Sequence, residues 1–438
     1  GVPLIAVRRS YQGEPAAAKY YPNGLSFPVT AFLRPIFNNQ TQAGGRPNHQ
    51  ALLELYDPLS SVDTTVAGRR VPLESDLSTP LAYFLSDPTL ESLATVGLLN
   101  PESLLQLRPD RPDPIMGLYM VQPYEPGKIP VLLVHGLWSS PMTWMEMFND
   151  LRSQPEIRKH FQFWFYLYPT GQPFWNSAAQ LRRDLAEARH TLDPYRQEPS
   201  LDQMVLIGHS MGGLVSRLQT INSRNDFWNL ASAEPFDRIR AELDVRQELH
   251  ETFFFRPNPS IARIVTVGTP HAGSTFSNET TQWMLSKLIT LPQRLVASQG
   301  KLFRDNPGAF EKSTLLKVET SIDSLSPDSP IFRTMQHAQR GPWVKYHNII
   351  GAIPNRGWWT AMVAGTDGVV TRRSAQADDA ISELTVPADH TTIHLHPMAV
   401  QEVRRILLEH LADLRAQSHV AEPVTVAAEP RGSQHVPR

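Results

Sequence analysis

The sequence of 438 residues contains no cysteine. This absence excludes disulfide frameworks, thiolate zinc sites and cysteine nucleophiles, although it does not distinguish an oxidising from a reducing compartment. The sequence also lacks an excess of either charge, because 41 lysines and arginines balance 43 aspartates and glutamates. Without a basic run, the composition argues against a nucleic-acid partner.

Long apolar runs are absent as well. Apolar stretches such as 131–134 and 204–207 fall far short of the roughly 20 residues that span a bilayer. No membrane-spanning helix is therefore predicted. The first residue is Gly1 instead of Met. If a signal peptide has been removed before Gly1, we expect the bacterial cell envelope or the secreted fraction more than the cytoplasm.

The first 114 residues have a different pattern from the remainder. Short apolar segments predict strands over 29–32 and 52–56, and 66–73 has the pattern of half a hairpin. Capping residues before Pro80, Pro88 and Pro101 indicate three short helices. Residues 1–114 are thus predicted to form a small β-rich or α+β N-terminal domain, and the proline-rich stretch 108–114 is typical of a boundary.

From about residue 115, apolar runs alternate with amphipathic helices. This alternation predicts a doubly wound α/β domain over 115–416 with a mostly parallel sheet. The tail 417–438 is polar and aperiodic, so we expect disorder there. Buried strands are predicted over 131–134, 161–168, 204–207, 264–267, 347–352 and 384–386, and helices over 177–191 and 397–414.

One segment carries chemical information by itself. Residues 204–207 form an apolar run that leads directly into Gly208-His209-Ser210-Met211-Gly212, a G-x-S-x-G pattern. A serine hydroxyl is a poor nucleophile, and a tight turn from strand to helix lifts it above the sheet edge where a base can reach it. Small neighbours are needed because side chains at Gly208 and Gly212 would collide with the crossing backbone. The pattern therefore predicts a nucleophile at Ser210.

With three further motifs, the sequence resembles the α/β-hydrolase superfamily. The resemblance covers about residues 129–414 and is nearest to bacterial lipases and esterases, with some likeness to GPI-inositol-deacylase-type lipases. It implies an α/β-hydrolase fold with a helical cap, formed by insertions at about 221–259 and 275–345. The motifs are His135-Gly136-Leu137-Trp138 after a strand, Ser210 in its turn, the segment 268–274, and Thr366-Asp367-Gly368 before His390.

The resemblance also implies a catalytic triad in the chain order Ser, acid, His. Asp367 and His390 fit that order after Ser210, and Asp367 lies beside a glycine that suits a tight loop. Three histidines compete for the role of base, namely His390, His394 and His396. His390 is preferred because it follows the predicted strand 384–386 across a short link, and His394 is the fallback.

Further residues around the site follow from position in the family. The backbone N–H groups of Leu137 and Met211 are expected to form the oxyanion hole. Trp138 and His209 are expected to contact substrate. Aromatic residues in the cap insertions either line an acyl groove or simply pack the cap. Adjacent tryptophans at 358 and 359 suggest contact with a lipid–water interface. No metal or other cofactor is required.

The predicted function is hydrolysis of carboxylic esters with hydrophobic acyl groups through an acyl-enzyme on Ser210, as in an esterase or lipase. Two alternatives remain at this point. An acyltransferase or amidase would use the same triad with a different acceptor. A non-catalytic binding protein would keep the fold with a damaged triad. The ester or lipid substrate is the expected partner, and the oligomeric state is not predicted.

Overall fold

The fold is taken from a computed structural model that describes residues 1–9, 12–36, 50–86, 116–137, 139–274, 300–310, 315, 324–353 and 365–421. The strands are β1 (Val2–Val7), β2 (Ser26–Ile36), β3 (Gln50–Tyr56), β4 (Asp63–Val66), β5 (Arg69–Pro72), β6 (Gly117–Met120), β7 (Ile129–Val134), β8 (Phe161–Leu167), β9 (Met204–His209), β10 (Ile261–Val267), β11 (Lys345–Gly351) and β12 (Ser382–Val386). The α-helices are α1 (Ser78–Leu85), α2 (Met145–Ser153), α3 (Pro155–His160), α4 (Phe174–Leu192), α5 (Met211–Arg217), α6 (Asp226–Ala231), α7 (Leu243–Phe253), α8 (Ile331–His337), α9 (Arg372–Ala375) and α10 (Pro397–Ala421).

A seven-stranded sheet organises the larger part of the chain. Its strands lie in the order β12-β11-β10-β9-β7-β8-β6. Every neighbouring pair is parallel except β6 and β8, which are antiparallel. The predicted doubly wound, mostly parallel sheet is therefore confirmed. In such a sheet the carboxyl ends of the parallel strands meet at one edge, which is where ligands bind.

Burial explains why the sequence pattern located most of these strands. All residues of β7, β8 and β9 are buried, so each strand reads as a continuous apolar run. The six predicted strands correspond to β7 through β12, with ends that differ by a few residues. Strand β6 was not predicted because it has only four residues, half of them partly exposed.

Each face of the sheet packs against its own helices. Alternate residues of one strand belong to different apolar clusters, as Leu206 and Val205 show. The first cluster includes residues of α4 and α5, and the second includes residues of α2 and α10. Each fully buried aliphatic or aromatic side chain stabilises the fold by roughly 1.5–3 kcal/mol relative to exposure. Because helices cover both faces of the sheet, the candidate site lies at the edge formed by the carboxyl ends of its strands.

The N-terminal region contains a separate β-rich part, as expected. Strands β1, β2 and β3 form an antiparallel sheet, and β4 pairs with β5 in a hairpin. Leu25, Leu81 and Phe84 belong to the second cluster of the larger sheet, so this region also packs against the seven-stranded sheet and its helices. The boundary at 108–114 and the helices predicted to begin at Pro88 and Pro101 lie outside the described residues.

Two details of the N-terminal prediction are corrected. Helix α1 begins at Ser78, before the predicted cap Thr79, because the carboxylate of Asp76 accepts hydrogen bonds from the N–H groups of Ser78 and Thr79. Strand β1 was not predicted. It pairs along its whole length with β2. All its residues are apolar, so the sequence lacks the alternation of apolar and polar residues that indicates a half-exposed strand.

The insertion at 221–259 contains α6 and α7. Its aromatic residues pack on one another, since the Trp228 ring lies 5.8 Å from Phe253 and 5.9 Å from Phe254. Phe310 of the second insertion adds an edge contact at 6.5 Å. Of the two roles considered for the cap aromatics, lining an acyl groove or packing the cap, the contacts of these residues support packing. Residues 275–299 of the second insertion lie outside the described part, as do 358 and 359. The tail was predicted to begin at 417, but α10 continues through Ala421, and residues 422–438 lie outside the described part.

None of the helices in the described ranges is long and apolar enough to cross a membrane.

Candidate active site

Ser210 occupies the turn between β9 and α5. Its backbone has φ 53° and ψ −124°, a conformation that residues with a Cβ rarely adopt and that costs on the order of 1–3 kcal/mol. The Ser210 N–H donates to the carbonyl of Val267 at the end of β10, at 2.9 Å. The surrounding sheet thus holds the strained turn in place. Strain of this kind is typical of functional positions.

Glycines permit the turn to be this tight. A Cβ at Gly208 would lie 2.5 Å from the carbonyl oxygen of Gly212. A Cβ at Gly212 would in turn collide with the carbonyl oxygens of Val134 and His135. Helix α5 can therefore pass close to β7 and β9 only because both positions lack a side chain.

The structure brings His390 to Ser210 across 180 residues of sequence. Its Nε2 lies 2.8 Å from Ser210 Oγ, and both side chains are buried. His390 lies on the loop that follows β12. Its backbone N–H donates to the carbonyl of Asp367 at 2.9 Å, which holds this loop against the one that carries Asp367. The hydroxyl and the imidazole are thus in hydrogen-bond contact.

Asp367 completes the hydrogen-bonded chain. Its Oδ2 lies 2.7 Å from His390 Nδ1, and only 1% of Asp367 is exposed. Because a carboxylate can only accept, Nδ1 carries the proton and Nε2 is free to accept from Ser210. The other oxygen, Oδ1, accepts from the N–H groups of Val369 at 3.0 Å and Val370 at 2.7 Å. These two donors fix the orientation of the carboxylate.

His209 lies beneath His390, which the sequence interpretation did not foresee. Its Nε2 donates to the carbonyl of His390 at 2.8 Å, and its ring centroid is 5.1 Å from that of His390. Burial, together with His394 and His390, lowers the pKa of His209 well below its usual value, so the ring is neutral. The position favours support of the His390 loop over the predicted contact with substrate.

The two competing histidines have other partners. His394 Nε2 lies 2.6 Å from the hydroxyl of Thr143, and burial lowers the pKa of His394 to about 4. The ring of His394 is 4.6 Å from His209, so it forms a layer behind His390. His396 Nδ1 accepts from the N–H of Met398 at the start of α10. Neither histidine is in hydrogen-bond contact with Ser210.

The loop after β7 reaches the other side of Ser210. A Cβ at Gly136 would lie 2.9 Å from the Cβ of Ser210, so this loop touches the turn. His135 braces it, since its ring stacks on Tyr168 at 4.5 Å and its carbonyl accepts from the Tyr168 hydroxyl at 2.7 Å. Leu137 follows Gly136, and Met211 is the first residue of α5. The substrate contact predicted for Trp138 lies outside the described residues.

The described residues contain no group of three or more side chains arranged to hold a metal ion. What they do contain is a hydroxyl, a base and an acid in series, beside a loop that contacts the Ser210 turn. Such an arrangement can deprotonate the serine and stabilise the resulting imidazolium.

A mostly parallel sheet with a serine at a strained strand-to-helix turn is the architecture of the α/β hydrolases. The model of the alpha/beta hydrolase family matches residues 131–403, and the chain belongs to this family. No curated protein matches the chain. The likeness to GPI-inositol-deacylase-type lipases stays a prediction.

Several solved structures are similar to the chain. The mature lipase BlEst2 from Bacillus licheniformis is 19% identical, with a TM-score of 0.35, and the match covers 63% of this chain and 91% of that one. Lipase 1 from Pelosinus fermentans is 14% identical, with a TM-score of 0.38 and coverage of 65% and 98%. EstA from Clostridium botulinum is 14% identical, with a TM-score of 0.37 and coverage of 65% and 87%.

Proposed function

We propose that the protein is a serine hydrolase that cleaves carboxylic esters with hydrophobic acyl groups, as an esterase or lipase. The observation that carries this proposal is the unbroken hydrogen-bonded series from Ser210 through His390 to Asp367. Membership in the alpha/beta hydrolase family supports it. The strained backbone of Ser210 is a second, independent support, because it holds the hydroxyl in the turn that activation requires.

In the proposed reaction, Ser210 Oγ attacks the acyl carbon while His390 Nε2 takes the hydroxyl proton. The tetrahedral intermediate then collapses, and the same proton passes to the departing alcohol, which leaves the acyl group on Ser210. Water attacks the acyl-enzyme with His390 again as base; the second intermediate collapses, His390 returns that proton to Ser210 Oγ, and the acid product departs. Asp367 keeps the proton on Nδ1 and stabilises the imidazolium at each step.

The intermediate needs hydrogen-bond donors at its oxygen. The N–H groups of Leu137 and Met211 are proposed for this role, because one follows the loop that touches Ser210 and the other follows Ser210 itself. Loss of one such donor typically slows a reaction by about 100- to 1000-fold. Since these are backbone groups, the residues contribute through position and not through their side chains.

Hydrolysis of p-nitrophenyl esters tests the proposal directly. The wild-type chain should release nitrophenol, and Ser210→Ala should lower kcat by about 10⁴-fold or more. Ser153→Ala is the matched control, because Ser153 is an exposed serine whose hydroxyl donates to the carbonyl of Asp150 and accepts from the side chain of its neighbour Gln154, both of them local contacts. A series from acetate to palmitate separates esterase from lipase behaviour. Equal activity of wild type and Ser210→Ala would contradict the proposal.

The two alternatives need different measurements. Acyl transfer is tested by adding butanol and comparing the amounts of butyl ester and free acid, because a true transferase forms ester even when water is in excess. A binding protein on this fold would neither turn over esters nor react with a fluorophosphonate. Reaction of Ser210 with that label would therefore exclude the binding interpretation.

A further inference from the structure

A cleft opens on the opposite edge of the sheet from Ser210. It has a volume of about 350 Å³, within the range of roughly 300–1,000 Å³ that small-molecule sites occupy. It lies where β9 begins, and β9 extends for about 20 Å from there to the Ser210 turn. The cleft is thus separate from the candidate active site. Its floor is apolar and is formed by Trp164, Leu185, Leu201, Met204, Pro257 and Pro259.

Four arginines line the same cleft, namely Arg182, Arg189, Arg196 and Arg256. Arg189 is neutralised, because it pairs with Asp202 at 2.8 Å and with Asp193 at 3.1 Å. The other three form no salt bridge with any residue in the described ranges, although Asp193 interacts electrostatically with Arg196, and Glu251 with Arg182. Arg196 and Arg256 are exposed. The lining itself thus combines four arginines with an apolar floor and includes no acidic residue of the described ranges.

Arg182 is the deepest of these cations. Its guanidinium donates to the carbonyls of Glu251 at 2.9 Å and Leu218 at 3.4 Å, near the ends of α7 and α5, and lies over the Phe255 ring at 4.1 Å. Burial, followed by repulsion from Arg183, lowers the pKa of Arg182 to about 9. A cation in such surroundings is stabilised by an anion that enters the cleft, since the anion replaces lost hydration.

We propose that this cleft binds an amphiphile with an anionic head group and an aliphatic chain. The head group would lie among Arg182, Arg196 and Arg256, and the chain would cover the apolar floor. Both halves of the ligand follow from the lining, because a small inorganic anion would leave the floor exposed and a neutral alcohol would leave the arginines unpaired. This inference does not depend on the proposed hydrolase function.

Calorimetric titration of the full chain tests the binding. Decanoate and decyl phosphate are the probes for a carboxylate and a phosphate head, and decanol and inorganic phosphate are their matched controls. At least one charged amphiphile should bind, at least about tenfold more tightly than either control, and binding should weaken as salt screens the arginines. If neither amphiphile binds, or if inorganic phosphate binds as tightly, the proposal is overturned.

A charge-reversal variant locates the site. The double substitution Arg196→Glu with Arg256→Glu should weaken binding by roughly 3- to 30-fold, because each exposed ion pair contributes a modest part of the affinity. Both side chains are exposed, so folding is expected to survive, and circular dichroism checks it. Arg404→Glu on the exposed side of α10 is the control. If the double variant binds as the wild type does, the ligand lies elsewhere, and the assignment of the cleft is wrong.

Discussion

Replacement of Asp367 by asparagine tests the proposed triad with little change of shape. The carboxylate oxygen Oδ1 accepts from two backbone N–H groups, of Val369 and Val370. In Asp367→Asn the amide oxygen must keep that position, because an NH₂ group there would face two donors. The NH₂ group then points at His390 Nδ1 and forces the proton onto Nε2. In that tautomer the imidazole cannot accept the proton of Ser210.

The expected loss of kcat is about 10⁴-fold, the size seen when a triad aspartate becomes asparagine in a serine protease. This corresponds to a barrier about 5 kcal/mol higher. Folding should change little, because the amide oxygen still satisfies both N–H groups. Asp367→Ala should instead unfold more easily, since each buried donor left without a partner costs about 1–3 kcal/mol.

The assay combines ester hydrolysis with urea denaturation for each variant. Asp389→Asn is the matched control, because Asp389 lies next to His390 but is exposed, and its carboxylate accepts only from Thr391 and Thr392 among the described residues. That variant should stay within a few-fold of wild type in activity, as asparagine suits the same turn. A folded Asp367→Asn protein that keeps a tenth or more of the wild-type kcat would refute the role assigned to Asp367.

Three further outcomes are expected. Ser210→Gly should be inactive but more stable than Ser210→Ala by about 1 kcal/mol in urea denaturation, because glycine relieves the strain at φ 53°; equal stability would argue against strain. Gly212→Ala should lower the denaturation midpoint strongly or prevent folding, since its Cβ collides with the carbonyls of Val134 and His135. Stability should fall as the pH drops from about 6.5 to about 4, because burial lowers the pKa of His135 and His394 to about 4 and the unfolded chain binds protons that the folded chain does not. Equal urea midpoints at pH 7 and pH 5 would contradict that account.

The fold was predictable where burial is complete. Strands buried on both faces leave an apolar run in the sequence, so β7 through β10 could be located without coordinates. Strand β6 could not, because an edge strand of four residues, half of them partly exposed, is too short to stand out as an apolar run. The role of the aromatic residues in the two insertions could not be predicted either. Their aromatic residues have the same composition whether they pack together or line a groove, and the packing is decided by tertiary contacts.

The residues of the candidate site differed in how far the sequence alone could predict them. Ser210 has a local pattern, since its turn needs glycines at fixed offsets. Asp367 and His390 have no such pattern, and their selection depended on the chain order implied by the resemblance. The support that His209 gives to the His390 loop was missed, because it arises from a contact across 181 residues. His209 is the variable position before Ser210 in the G-x-S-x-G pattern, and that pattern does not show in which direction its imidazole points.

Reaction with a fluorophosphonate, followed by mass spectrometry of the peptides, tests the central claim most directly. The account predicts one label on Ser210 in the wild-type chain, and much slower labelling of His390→Gln, because the hydroxyl then has no base. His394→Gln should label at nearly the wild-type rate, since His394 bonds Thr143 and not Ser210. Labelling at another serine, or labelling of Ser210 that does not depend on His390, would contradict the account.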